Sequence, residues 1–325
     1  MTTALLEVDH LRVEFATRHG NLLALDDISF SIAPGEIVGV VGESGAGKSL
    51  TGAAIIGLLD PPGRITAGQI RFDGRRIDNL PDGAMRRIRG RGIGAIFQDP
   101  LTSLNPLYTI GRQIVETIQT HLPMSESQAR ARAIKLLEET GIQAAGQRID
   151  QYPHQFSGGM RQRVVIALAL AAEPKLIVAD EPTTALDVSI QAQIIQLLKR
   201  LCHERGAAVM LVTHDMGVIA EACDRVAVMY AGRIVEVGPV QAVIHSPAHP
   251  YTVGLMGSIP AMDEDRERLL QIDGTMPRLN AIPPGCAFHP RCPRGFARCR
   301  VERPELWPSG DTRAACWLHA TDAAL

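Results

Sequence analysis

Residues 42–49 read GESGAGKS, which matches the G-x-x-x-x-G-K-[S/T] spacing of a phosphate-binding loop. The apolar run at 37–41 predicts a buried strand before the loop, and residues 50–59 predict a helix after it. Glycines let the backbone turn tightly and bring N–H groups to phosphate oxygens, and the helix N-terminus adds positive partial charge. Lys48 can reach β- and γ-phosphates, and Ser49 offers a hydroxyl to Mg²⁺. This stretch predicts an α/β fold with a nucleotide site; the alternative is a glycine-rich turn that binds nothing.

The composition of the 325-residue chain is that of a globular protein with one large domain or two ordinary ones, at 46% hydrophobic and 21% charged residues. The net charge of −2 argues against a general binder of polyanions, so we expect no nucleic-acid partner. No signal segment is recognisable, and the longest apolar run, 164–172, is too short for a bilayer, which takes about 18 residues. We therefore expect a cytosolic protein whose membrane association comes through a partner.

Short apolar runs alternate with longer helical patterns along the chain. Strands are expected at 6–15, 24–32, 68–73, 92–97, 176–179 and 207–213, and helices at 110–121, 126–140, 159–172 and 189–205. Ser125 and Gln128 are spaced as a capping box for the second of these helices. The pattern indicates an α/β core with a helical insertion between its strands. Phe15, at a strand end, could stack on an adenine, although its position alone favours a core side chain.

Two adjacent carboxylates, Asp180 and Glu181, follow the apolar run at 176–179. They stand at the C-terminal end of a predicted strand, where ligands bind in α/β sheets. Asp180 could hold Mg²⁺ directly or through water, and Glu181 would be placed to orient and deprotonate a water that attacks the γ-phosphate. His214, at the end of the next predicted strand, adds a third polar group. The alternative is a structural pair of turn or capping carboxylates.

These motifs, in this order, resemble the nucleotide-binding subunits of ATP-binding cassette (ABC) transporters over roughly residues 5–260. The matching segments are the Walker A loop at 42–49, the Q-loop glutamine Gln98, the signature FSGGMRQ at 156–162, Walker B and its glutamate at 176–181, the D-loop ALD at 185–187 and the switch histidine His214. Three further segments are similar to those of dipeptide and oligopeptide importers: DPLTSLNP at 99–106, YPHQFSGGMRQR at 152–163 and HPYT at 249–252.

The resemblance implies a role for each matching residue. Glu181, His214 and Gln98 would be catalytic, and Mg²⁺ would be held by Ser49, Gln98 and Asp180. The residues that would bind ATP are Phe15, Gly42, Ser44, Gly45, Ala46, Gly47, Lys48, Ser49 and Leu50. Ser157, Gly158 and Gly159 of the signature would cap ATP held by a partner subunit, beside Asp187 of the D-loop. Phe156 and Met160 depart from the usual leucine and glutamine, but the Ser-Gly-Gly core is intact.

The resemblance also implies an architecture. The fold would be an α/β P-loop NTPase core of the RecA-like type, with an antiparallel β subdomain, a helical subdomain and a small cysteine-rich C-terminal extension. We expect the nucleotide-binding domain at 1–258, its helical subdomain at about 100–172, and the extension, expected to bind a cluster, at 259–325.

The implied function is ATP hydrolysis that energises import of dipeptides or oligopeptides through a membrane ABC permease. The subunit would be peripheral, on the cytoplasmic face of the plasma (inner) membrane. Its partners would be a second ATPase subunit in a heterodimer, two membrane permease subunits and, through the permease, a substrate-binding protein. Dipeptides, longer peptides and nickel chelates all remain open as cargo.

Four of the six cysteines lie in the proline- and arginine-rich tail, with the spacing C-x5-C-x6-C-x16-C: Cys286, Cys292, Cys299 and Cys316. In a cytosolic protein this predicts a metal or cluster site, and five nearby arginines, at 291, 294, 298, 300 and 303, could offset its negative charge. The spacing lacks the close C-x2-C pairs of zinc knuckles and common ferredoxins, so it selects no metal. Similarity to the tail of dipeptide-importer ATPases implies a [4Fe–4S] cluster; zinc and unliganded thiols are the alternatives. Cys202 and Cys223 are expected to be packing residues.

Two other functions fit parts of the sequence. A soluble ABC ATPase that acts on nucleic acid or ribosomes usually carries two cassettes or a long coiled coil, and this chain has one cassette and no such coil. A non-enzymatic iron–sulfur regulatory module would have no use for Glu181 and His214.

Overall fold

The computed structural model describes residues 4–18, 20–184, 186–258 and 271–320. The chain forms two compact units that interleave along the sequence. The first takes in Met1–Leu5, Ile32–Ile37 and Asn79–Val212, and the second takes in Leu6–Ser31, Val38–Asp78 and Thr213–Leu325.

The described strands are β1 Leu6–Thr17, β2 Gly20–Ile32, β3 Ile37–Val41, β4 Gly63–Phe72, β5 Arg75–Arg76, β6 Ile93–Ile96, β7 Leu176–Asp180, β8 Ala208–Thr213, β9 Arg225–Tyr230, β10 Arg233–Pro239, β11 Trp307–Ser309 and β12 Thr312–Ala314. The α-helices are α1 Lys48–Ile55, α2 Asp82–Ile88, α3 Pro100–Ser103, α4 Ile110–His121, α5 Glu126–Glu139, α6 Ala145–Arg148, α7 Gly158–Leu170, α8 Val188–Arg205, α9 Met216–Ala222, α10 Val240–His245, α11 Pro250–Gly257 and α12 Ala297–Val301. Short 3₁₀ helices lie at Pro153–Gln155, Leu279–Ala281, His289–Arg291 and Trp317–His319.

The first unit contains three parallel strands in the order β6, β7, β8. The first four residues of β7 are all buried, as expected of a parallel strand that is covered on both faces. The register places Asp180, the last residue of β7, opposite Val212. The carboxylate pair predicted at a strand end therefore lies there.

The helical insertion of the first unit follows from its sequence pattern. Helix α4 buries Ile110, Ile114 and Ile118, which are four residues apart and so share one face of the helix. Helix α5 begins with the predicted capping box, in which the Ser125 hydroxyl accepts from the Gln128 N–H and the Gln128 side chain accepts from the Ser125 N–H. Both helix positions predicted from the sequence are thereby confirmed.

The second unit contains two groups of strands. One is a sheet in the order β2, β1, β4, β5, in which β1 and β4 are antiparallel and Leu6 pairs with Phe72 at one end and Phe15 with Gly63 at the other. The other runs in the order β11, β12, β10, β9, β3, with β3 parallel to β9. Strand β12 pairs antiparallel with β10, so the C-terminal segment extends this group of strands.

Some predicted boundaries were wrong. Helix α1 begins at Lys48 and ends at Ile55, four residues short of the predicted end, because Gly57 takes a left-handed conformation with φ of 65°. Strand β4 begins at Gly63, five residues before the prediction, because it pairs along the length of β1.

Cys202 is a packing residue of α8, as predicted, and burial raises the pKa of its thiol to about 12.

Among the helices of the described residues, none has the length and apolarity that a membrane span requires.

Candidate functional site

The phosphate-binding loop links β3 to α1 within the second unit, and two of its glycines are required by its geometry. Gly42 has a φ of 156°, and a Cβ there would lie 2.3 Å from the carbonyl oxygen of Met229. Gly47, the residue before α1, has a φ of 102°, and its Cβ would lie 2.7 Å from the side chain of Leu25. Any larger residue at either position would displace the loop. The Ala46 carbonyl accepts from the Gly232 N–H at 2.9 Å, which ties the loop to the segment after β9.

Lys48, the first residue of α1, is buried and curls back over the loop. Its Nζ donates to the carbonyl oxygens of Gly42, at 2.8 Å, and Glu43, at 3.2 Å. An ammonium held over a loop of turned backbone at a helix N-terminus forms a concentrated positive site for an anion. Binding of the β- and γ-phosphates by Lys48 stays a prediction.

Glu181, the residue after β7, is fixed by its backbone and its side chain. Its N–H donates to the Val212 carbonyl at 2.9 Å, and its φ of 46° is unusual for a residue other than glycine. One carboxylate oxygen, Oε2, accepts from Gln98 Nε2 at 3.1 Å and from Thr184 Oγ1 at 2.8 Å. The structure thus brings together Gln98 and Glu181, both predicted to be catalytic. It adds Thr184, which the sequence reasoning missed because a threonine three residues after a glutamate carries no specific signal.

His214 follows β8 and is exposed. The next residue, Asp215, caps α9: its Oδ1 accepts from the N–H groups of Gly217, at 2.8 Å, and Val218, at 3.3 Å. This cap fixes the backbone immediately after His214. The chain therefore presents the histidine from a capped strand-to-helix turn, and its catalytic role stays a prediction.

The signature residues stand at the start of α7 in the first unit. Ser157 precedes the helix, and both Ser157 and Gly158 are exposed. A Cβ on Gly159 would lie 3.0 Å from Ile190 in α8, the helix that Asp187 precedes. The signature and the D-loop are thus adjacent. Phe156 is 3% exposed and packs in the core, so its replacement of leucine changes packing volume and leaves the exposed Ser-Gly-Gly backbone in place.

Phe15 lies at the end of β1 in the second unit, half-buried, with its ring against Gly63 on β4. Phe15 is only partly buried, as a residue that stacks on an adenine has to be. Adenine stacking by Phe15 stays a prediction, as does the joint coordination of Mg²⁺ by Ser49, Gln98 and Asp180.

The four tail cysteines line a single cavity in the second unit, together with Phe288 and Trp317. The cavity has an empty volume of about 320 Å³, including space open to solvent. Burial raises the pKa of the Cys286 thiol to about 11, and it also raises the pKa of Cys292 and Cys316. Any metal would therefore have to displace thiol protons on binding.

Four thiols around one cavity have the chemistry that a metal or cluster site needs. Within the described ranges, however, no group of three or more His, Cys, Asp or Glu side chains is placed to hold a metal ion. The metal or cluster site expected of these cysteines therefore stays a prediction.

Three of the five arginines near the cysteines pair with carboxylates, and whether the group offsets a cluster's charge stays a prediction. Arg291 pairs with Glu43, and Arg303 pairs with Asp26. Arg298 pairs with Glu302 and stacks over the Trp317 ring at 3.7 Å. Arg294 lines the cavity.

A glycine-rich loop with a buried lysine, and a strand followed by a carboxylate that hydrogen bonds hold in place, are typical of a P-loop NTPase. Two family profiles extend this: the one described as "ABC transporter" matches residues 25–184, and the one described as "Oligopeptide/dipeptide transporter, C-terminal region" matches residues 235–299. The chain therefore belongs to the ATP-binding subunits of the ABC transporter family, and it is an ABC-type ATPase.

Individual relatives agree with this assignment. The chain is 48% identical over 321 residues to the dipeptide transport ATP-binding protein DppD of Escherichia coli, which covers 99% of this chain and 98% of that protein. It is 47% identical over 311 residues to the oligopeptide transport ATP-binding protein OppD of Salmonella typhimurium, at 95% and 92% coverage. Among solved structures, the ATP-binding cassette MJ0796, a dimer bound to ADP and Pi, matches with a TM-score of 0.65 and 31% identity, over 72% of this chain and 98% of that one. The cbiO1 subunit from Clostridium perfringens matches with a TM-score of 0.64 and 30% identity, over 75% of this chain and 91% of that one.

Proposed function

We propose that this chain is the ATP-hydrolysing subunit that energises import of dipeptides or oligopeptides through a membrane ABC permease. The observation that carries the proposal is the extent of the similarity to DppD and OppD, which spans the cassette and the C-terminal region alike. The fixed carboxylate of Glu181 supplies the chemistry that such a subunit needs. We place the cassette at residues 1–258 and the extension at 259–325.

The residues described above suggest how ATP is hydrolysed. The loop N–H groups and Lys48 bind the phosphates. A magnesium ion, when bound, offsets their negative charge, and the oxygens of Ser49, Gln98 and Asp180 suit it because Mg²⁺ prefers oxygen ligands. Gln98 already donates its amide nitrogen to Glu181, so its amide oxygen can serve the metal. Glu181, aimed by Gln98 and Thr184, takes the proton of the attacking water. His214 would contact the γ-phosphate, and Phe15 would hold the adenine.

The exposed signature supports assembly of two ATPase subunits. Ser157, Gly158 and Gly159 would contact the γ-phosphate of ATP bound to a partner subunit, beside Asp187 of the D-loop. We propose that this partner is a second, different ABC ATPase. Gln98 would then relay the state of the nucleotide to two permease subunits, which receive cargo from a substrate-binding protein. The subunit would lie at the cytoplasmic face of the inner membrane, held there by the permease.

Affinity purification with tagged permease subunits tests this assembly. We expect the chain to co-purify with the permease and a second ATPase from detergent-solubilised membranes. A Glu181→Gln variant serves as the control for assembly: it should co-purify with the same partners although it hydrolyses ATP far more slowly. Recovery of the chain with ribosomes or nucleic acid, and without any permease, would contradict the proposal.

We also propose that Cys286, Cys292, Cys299 and Cys316 hold a [4Fe–4S] cluster in a structural or regulatory role. The support is that all four cysteines line one cavity, together with the similarity of this tail to that of dipeptide-importer ATPases. Anaerobically purified protein should be coloured and should absorb visible light, as a protein that holds an iron–sulfur cluster does. A Cys292→Ser variant should lose this absorption, whereas Cys202→Ser, which alters a cysteine buried in α8, should keep it. A colourless protein that contains zinc would contradict the proposal.

A further inference from the structure

Glu43, the second residue of the phosphate-binding loop, is held by a residue from the far end of the chain. Arg291 Nη1 donates to Glu43 Oε2 at 2.7 Å, and Arg291 Nη2 donates to Glu43 Oε1 at 2.9 Å. The paired bonds form the bidentate geometry that makes arginine–carboxylate pairs strong. The Arg291 side chain is only 7% exposed and that of Glu43 is 29% exposed, so water weakens this pair less than a surface pair.

Arg291 is itself fixed by the C-terminal segment. Its Nε donates to the Asp273 carbonyl at 2.8 Å, and Nη2 also approaches the carbonyls of Ile272, at 3.3 Å, and Gly274, at 3.4 Å. Its Nη1 lies 3.4 Å from the Tyr230 hydroxyl. The hydrogen bond to Glu43 raises the pKa of Arg291, so the guanidinium is charged at every working pH. An arginine with this many partners holds its carboxylate in one place.

The backbone of Glu43 is held as well. Its N–H donates to the hydroxyl of Tyr251 in α11 at 2.9 Å, and Tyr251 is fully buried. Its carbonyl accepts from Lys48 Nζ at 3.2 Å. The position of Glu43 therefore determines where one of the carbonyls that anchor Lys48 lies. The C-terminal segment also approaches the loop directly, since a Cβ on Gly45 would lie 3.9 Å from Met276.

We propose that Arg291 is a positioning residue for ATP binding, which acts through Glu43 to hold the phosphate-binding loop in its binding conformation. A loop that is already ordered loses less conformational freedom when phosphate binds, so its affinity is higher. Because Arg291 directly precedes Cys292, the turn at His289–Arg291 carries both the contact to the loop and a wall of the cysteine cavity. The C-terminal extension thereby becomes part of the nucleotide site.

Equilibrium binding of Mg-ATP to purified chain variants, with hydrolysis kinetics in parallel, tests this proposal. Arg291→Gln should weaken ATP binding by about 10-fold or more, because it removes a charged, bidentate pair. The KM for ATP should rise to match, while kcat at saturating ATP stays within about twofold, since Arg291 acts on binding alone. Arg291→Lys, which keeps the charge but loses the paired geometry, should show an intermediate loss and guards against misfolding of the glutamine variant.

Arg303→Gln is the matched control. Arg303 belongs to the same C-terminal segment and donates to Asp26 at 2.9 Å, but Asp26 lies on β2 and not in the loop. This variant should leave ATP affinity unchanged even if it lowers the melting temperature as much as Arg291→Gln does. Equal losses of affinity in the two variants would mean that the segment only stabilises the fold, and would overturn the proposal.

A double-mutant cycle with Glu43→Gln isolates the pair. If Arg291 acts through Glu43, then Arg291→Gln should weaken ATP binding much less when Glu43 has already been replaced. Additive losses, or an Arg291→Gln variant that binds ATP within twofold of the unchanged protein, would contradict the proposal.

Discussion

The hydroxyl of Thr184 offers a specific test of how the catalytic carboxylate is aimed. Thr184 Oγ1 donates to Glu181 Oε2 at 2.8 Å, the same oxygen that accepts from Gln98 Nε2 at 3.1 Å. A Thr184→Val substitution keeps the branched shape and removes the donor. A hydrogen bond to a charged group contributes about 1.5–3 kcal/mol. If this bond orients Glu181 for attack by water, its loss should slow hydrolysis roughly 10- to 150-fold.

Single-turnover hydrolysis, measured alongside ATP affinity, separates this effect from binding. Thr184→Val should bind ATP as the unchanged protein does, because Thr184 contacts the carboxylate and not the phosphate loop. Thr184→Ser retains the hydroxyl and should hydrolyse ATP at close to the original rate. A Thr184→Val variant that hydrolyses ATP within twofold of the original rate would contradict a role for this hydroxyl in orienting Glu181. So would a Thr184→Ser variant that is as slow as Thr184→Val.

Two further predictions concern the catalytic base and the pH dependence of stability. Glu181→Gln should bind ATP but hydrolyse it roughly 100-fold or more slowly in the same single-turnover assay, because the general base is lost; a rate near the original would contradict its assignment. His249 is fully buried, and this burial, together with the charge of His319, lowers its pKa from 6.5 to about 3. Between pH 6.5 and pH 3 the unfolded chain therefore binds a proton at this histidine that the folded chain does not bind. The free energy of unfolding should therefore be unaffected by this histidine well above pH 6.5, and it should be lower by about 1.4 kcal/mol at pH 5.5. His249→Asn keeps an acceptor for the Tyr251 N–H but cannot titrate, so urea unfolding at pH 7.5 and 5.5 should show a smaller pH dependence; an unchanged dependence would contradict the prediction.

The parts of the fold that the sequence predicted are those with a strong local signal. Helix α4 follows from isoleucines four residues apart, and α5 from its capping box. The phosphate-binding loop has a spacing that few other structures share, and the fully apolar run of β7 places Asp180 and Glu181 at a strand end. Each of these signals lies within fewer than about 20 residues, where periodicity and capping decide the structure.

What the sequence did not predict depends on residues that are distant along the chain. Glu43 and Arg291 are 248 positions apart, and a basic residue in an arginine-rich tail carries no sign of its partner. The sequence also contained no sign that Arg291 and Arg303 pair with carboxylates outside the tail. Strand β12 is three residues long, too short for alternation to reveal it, and its pairing with β10 and β11 defines it.

The central claim is that hydrolysis by this chain is coupled to peptide import. The most direct test is ATP hydrolysis by the purified complex of this chain, its partner ATPase and the permease in lipid vesicles, with and without a peptide-loaded binding protein. We expect a dipeptide- or oligopeptide-loaded binding protein to stimulate hydrolysis several-fold and to drive peptide uptake, and we expect a complex carrying Glu181→Gln to do neither. Coupling of hydrolysis to peptide import would be contradicted if the peptide-loaded binding protein left the hydrolysis rate unchanged, or if peptide uptake persisted in the complex with Glu181→Gln.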